Sequence, residues 1–146
     1  MGTASYDQDV IAWSREQAAL LRAGRFSQLD IEHLADEIED VGKSEKREVA
    51  SRMAVLLAHL LKWQHQPAWR SRSWEITIKT RRESLAIALR ETPSLKSVMR
   101  DADWQRTAWI DAVDRATREA GLDVDFGEVC PWSMDQVLAG GWMPGE

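Results

Sequence analysis

Apolar residues recur at three- and four-residue spacing along most of the chain, and the breaks fall at glycines, prolines and residues that cap helices. The pattern predicts helices and no sheet. Val10, Trp13, Gln17, Leu20 and Leu21 share a first helix, behind a Ser5/Gln8 capping box and before Gly24, a left-handed terminator. Ile31, Leu34, Ile38 and Val41 line a second, opened by Ser27 with Asp30. At Gly42 two readings stay open: a new helix capped by Ser44, or one helix running on through the glycine at a cost of about 1 kcal/mol. Val49, Met53, Leu56, Leu57, Leu60 and Leu61 follow, and this run should end near His65, because Pro67 pushes Gln66 out of the α region. Ser71 or Ser73 caps the next helix, with Trp74, Ile78, Leu85, Ala88 and Leu89. Thr92-Pro93 predicts the start of another, carrying Leu95, Val98, Met99, Trp109 and Ala112 to Gly121, with a bend near residues 101–103. Leu122, Val124 and Phe126 then read as extended coil. A Ser133/Gln136 capping box opens a short helix through Leu138, and residues 140–144 dock one indole. The expected fold is all-α: a compact bundle of about five or six helices with a coil-rich C-terminal segment, one domain over residues 1–146.

Composition changes this picture in three ways. Eight tryptophans stand against one tyrosine and two phenylalanines, so indoles should carry the core, gathered around the corner from His59 to Trp74. A single cysteine, Cys130, rules out an intrachain disulfide and a multi-cysteine metal site, and fits a reducing compartment. No segment approaches the ~20 apolar residues of a membrane span, and the first residues lack a secretory leader, which gives a cytoplasmic expectation. Gly2 suggests a myristoylation start, but Tyr6 stands where Ser or Thr is required.

The net charge of −5 is unevenly spread. From Lys62 to Arg90 seven basic residues face two acidic ones, a local +5, so the rest of the chain carries −10. Much of that lies in Asp30, Glu32, Asp36, Glu37, Glu39 and Asp40. An acidic helix and a basic helix that face each other are the preferred account, and steering of a partner is the other.

The run Phe26-Ser27-Gln28-Leu29-Asp30-Ile31-Glu32-His33-Leu34, then Glu37-Ile38-Glu39-Asp40-Val41-Gly42, Ser44-Glu45-Lys46-Arg47 and the stretch from Leu56 to Trp74 closely resemble the bacterial family called domain of unknown function twenty-nine. The resemblance extends from Tyr6 to the Cys130-Pro131-Trp132 region. It implies an α-helical bacterial protein, of a family abundant in cyanobacteria, and carries over no activity, substrate or catalytic residue.

Four chemistries compete for the block between Asp30 and Trp74. Asp30, His33 and Glu37 can project from one helical face, as metal-binding bundles require, but His59 and His65 are six apart and supply no matching second helix. Asp30 as a cap and His33 in solvent is the preferred reading, and neither metal nor cofactor is expected. Arg70 and Arg72 precede a helix N-terminus, with Ser71 and Ser73 as donors, Trp69 and Trp74 as walls and Trp63 with His59 as a floor, the parts of an anion pocket. Their rival partners are the chain's own Glu37 and Glu39. The basic track Lys62, Arg70, Arg72, Lys79, Arg81, Arg82 and Arg90 suits a single strand of nucleic acid, although a pI near 5.3 opposes it. His59 could be a general base with Glu37 or Glu39, yet no nucleophile motif accompanies it, and a structural histidine bonded to a carboxylate is preferred. The resulting expectation is a non-enzymatic interaction or anion-binding module centred on Glu37, Glu39, His59, Trp63, Trp69, Arg70, Arg72 and Trp74. Its partner would be a protein or a small anionic ligand, and the chain itself a monomer or homodimer. An enzyme of unknown reaction and a weak single-strand binder are the alternatives.

Overall fold

In the computed structural model, which describes residues 5–145, the helix ends follow the local chemistry of the backbone. Gly2 and the rest of the first four residues lie outside that range. Helix α1 (Val10–Arg22) starts at Asp9, whose side chain accepts the Ala12 amide at 3.0 Å; Ser5 instead accepts two amides through its carbonyl in the preceding turn. Gly24 takes a left-handed φ of 72°, as expected of the residue that ends a helix. After a 3-10 turn at Phe26–Gln28, α2 runs unbroken over Ile31–His65, through Gly42. A Cβ at Gly42 would meet nothing within 4 Å, so the glycine answers to no packing demand.

Helix α3 (Arg72–Glu91) is capped by Ser71, whose hydroxyl accepts the Trp74 amide at 3.2 Å. Thr92 ends α3, its amide bonding back to Ala88, and α4 (Leu95–Arg100) begins after Ser94. The expected bend is a full break, since Asp101 turns into extended backbone and its carboxylate caps α5 (Ala102–Ala120) through the Trp104 amide. Gly121 ends α5 in the left-handed region. The Ser133/Gln136 capping box opens α6 (Met134–Leu138). The described residues form six α-helices and no strand, and none of these helices is long and apolar enough to cross a membrane.

The chain divides into two compact units, one reaching Ser44 and the other starting at Glu45. In the first, Trp13 is buried and its indole donates to Asp30 at 2.9 Å, while Gln17 accepts the Asp30 amide at 2.8 Å. Tyr6 lies edge-on to Trp13 and stacks on His33 with ring centroids 4.2 Å apart. Ile31, Ile38 and Val41 are exposed on the start of α2, with Glu32 and Glu39 also in solvent.

In the second unit the C-terminal half of α2 is the central element. From Val49 to Lys62 it buries residues on almost every side, so it is covered all round instead of along one stripe. Ile78 and Leu85 of α3, Leu95 and Met99 of α4, Trp104, Trp109 and Ala112 of α5, and Val137 of α6 complete the core. The buried indoles therefore belong to α1 and α5, and none of the three tryptophans of the His59–Trp74 corner is among them. They can be buried because each N–H finds a carbonyl or carboxylate: Trp104 bonds Lys46 and Trp109 bonds Gly127, both at 3.1 Å. Trp109, Trp132 and Trp142 continue in edge-to-face contacts at 6.0 and 5.8 Å, which seats the coil-rich segment and the tail.

Candidate functional site

Pro67 ends α2 and a 3-10 turn at Pro67–Trp69 delivers the chain to the start of α3. This joint sets the geometry of the corner. Arg70 folds back, donates from Nε to the Trp63 carbonyl at 2.8 Å and lays its guanidinium 4.8 Å from the Trp63 ring centroid. The carbonyl is one of those left unpaired at the end of α2, and a cation there also favours the helix dipole. Arg72 is exposed and makes no ion pair among the described residues. Trp69, alone among the eight tryptophans, is exposed, at 71%.

Lys62 is 6% exposed and meets Glu119 of α5 at 2.7 Å, with its ammonium 5.4 Å from the Trp74 ring. The lysine holds the Glu119 carboxyl below its ordinary range, against the upward push of burial. Gln66 extends this seam by donating to the Ala120 carbonyl at 3.1 Å. A cleft of about 340 Å³ opens here, between Trp69 and Trp74 on one side and Glu119 and Ala120 on the other. A second cleft, of about 570 Å³, has apolar walls from Trp63, Ile78 and Met143 and reaches Arg82, Gly140 and Gly141.

The proposed site residues are thus divided. Trp63, Trp69, Arg70, Arg72 and Trp74 come together at the joint in the second unit. Glu37 and Glu39 belong to the first unit, where Glu37 accepts a hydrogen bond from the Tyr6 hydroxyl and pushes its pKa up to about 12. Glu39 is exposed and makes no ion pair among the described residues. The partners of the corner cations are a backbone carbonyl for Arg70 and Glu119 for Lys62, the second invisible to local pattern because it lies 57 positions away.

His59 is half-buried, and its Nδ1 pairs with the Val55 carbonyl at 2.9 Å instead of with a carboxylate. Burial lowers its pKa first, Lys62 and Arg81 add to that, and Val55 and Glu119 oppose it. A neutral ring donating from Nδ1 into its own helix fits a packing role. His33 is not left to solvent: its Nδ1 bonds Asp30 at 2.7 Å, which raises its pKa and lowers that of Asp30. No group of three metal-ligating side chains occurs among the described residues. Two members of the basic track, Lys62 and Arg82, are buried, so the track does not present a continuous row of exposed cations to a nucleic-acid backbone.

Sequence reasoning missed Glu119, Gln66, Ile78, Met143 and the fate of Arg82. For Arg82 a signal existed: it stands at helical spacing with Ile78, Leu85 and Leu89, on the apolar face of α3.

Neither a curated protein nor a solved structure matches the chain. A family model does, over residues 5–143, nearly the full length of six helices, corner and docked tail, and the chain accordingly belongs to the family described as Domain of unknown function DUF29.

Proposed function

We propose that the chain is a non-enzymatic interaction module that docks a protein segment of mixed apolar and acidic character at the joint between α2 and α3, with Trp69 as the anchor. The exposed indole of Trp69 carries this reading, because seven other tryptophans in the same chain are buried or half-buried. A large exposed apolar side chain beside arginines is the composition of an interface hot spot. Arg70 is preorganised by the Trp63 carbonyl and ring, so little side-chain freedom is lost when its outer N–H groups meet a carboxylate. Arg72, exposed and without an ion pair among the described residues, adds a second cation. Cys130 is half-buried with its thiol pKa raised by burial, which suits a bacterial cytoplasm where it stays reduced.

A random peptide library selected on the full chain tests this. Enriched sequences should place Asp or Glu next to a bulky apolar residue, and their affinity should fall about tenfold or more in Trp69→Ala with an unchanged melting temperature. Enrichment of basic sequences, or binding indifferent to Trp69, would refute the reading.

A further inference from the structure

Arg82 is a buried cation without an anion. Its side chain is on α3 and the residue is 8% exposed. Nε donates to the Val137 carbonyl at 2.8 Å and Nη2 to the Trp142 carbonyl at 2.6 Å, both neutral acceptors. No carboxylate pairs with it among the described residues, whereas Lys62, the other buried cation, has Glu119. Desolvation holds the Arg82 pKa below its ordinary value. A guanidinium has five N–H groups in a planar fork suited to a carboxylate, and two carbonyls leave part of that fork unused.

The cleft beside it has the complementary character. At about 570 Å³ it falls in the ~300–1,000 Å³ range of small-molecule sites. Trp63, Ile78 and Met143 make its walls apolar. Lys79 on the rim favours an anion, and Glu75 and Glu83, which also line it, oppose one. These exposed rim charges are screened by water, and the least screened charge is that of Arg82.

We infer that this cleft binds a small apolar monocarboxylate, with its chain against Trp63, Ile78 and Met143 and its carboxylate on the fork of Arg82. Such a ligand supplies the missing counter-charge and removes apolar wall from water in one event. Occupancy of this cleft does not require Trp69, which lines the other one.

Decanoate and 1-decanol, titrated into the full chain by calorimetry below their aggregation limits, test the inference. Decanoate should bind one-to-one and about tenfold or more tighter than the alcohol. Gly140→Trp should abolish binding, since Gly140 lines the cleft and a side chain there starts in open space, with no atom within 4 Å of its Cβ. Arg82→Lys should weaken decanoate and leave the alcohol unchanged. If that variant loses its fold by giving up the two carbonyls, Gly140→Trp still decides the matter. Trp69→Ala should bind decanoate normally. Equal affinity for acid and alcohol, undiminished binding in folded Gly140→Trp, or no saturable binding would overturn it, as would an acidic peptide displacing decanoate only when Trp69 is intact.

Discussion

Lys62 and Glu119, 57 positions apart, meet at 2.7 Å with the ammonium buried and the carboxylate half in water. The pair closes α2 on α5, and its two members are unequal. Removing Glu119 strands a charge under Trp74, whereas removing Lys62 leaves a carboxylate that water can take up.

Glu119→Ala should therefore destabilise by about 1–3 kcal/mol, and Lys62→Met, which keeps the buried stem, by less. Urea denaturation of both variants measures the order, and a larger loss in Lys62→Met would contradict it. The lysine lowers the Glu119 pKa beneath its ordinary 4.5. The stabilisation is complete above that value and disappears as pH falls through the folded one, so Glu119→Gln should lose its disadvantage in acid.

His33 predicts the opposite slope. Its pKa lies above the ordinary 6.5 because Asp30 bonds the ring, with the charges of Asp30, Asp7 and Asp36 adding. The advantage of wild type over His33→Gln should be full below 6.5 and shrink as pH rises through the folded value. Ring-proton NMR titration gives that value directly, and one at or below 6.5 contradicts the pairing with Asp30.

The tryptophans should split by position. Trp109→Ala empties a core site and should cost about 3–5 kcal/mol, while Trp69→Ala should change stability by no more than about 0.5 kcal/mol. Thermal melts of both show whether Trp69 is spare in the fold, as an interface residue must be.

Backbone variants check the helix ends. Gly42→Ala should stabilise by about 0.5–1 kcal/mol, as expected for an exposed glycine inside a continuous helix, and a loss would mean that the helix breaks there. Asp101→Ala should cost about 1 kcal/mol, and Thr92→Ala much less, because Asp101 caps α5 and the Thr92 side chain caps nothing.

What the sequence reveals here is what neighbouring residues decide. Pro67 stops α2 at His65, Gly121 turns left-handed after α5, and Ser133 with Gln136 closes a capping box, each within four positions. Competing local signals are less readable: Ser5 and Asp9 both stand before α1, and the Asp9 carboxylate is the one that takes an amide of its first turn, that of Ala12. The corner was legible as a concentration of indoles and cations. Its partners were not, since Arg70 takes a carbonyl seven residues back and Lys62 a carboxylate on another helix. Charge runs show which cations exist, and only packing shows which of them reach solvent.

Arg82 also makes α3 depend on the far end of the chain. Its acceptors lie 55 and 60 positions further along the chain, whereas α3 meets α4 and α4 meets α5 across short turns. Without Val137 and Trp142 the guanidinium on the apolar face of α3 would lose both of its carbonyl partners. Truncation of the tail should therefore loosen α3 along with the segment removed.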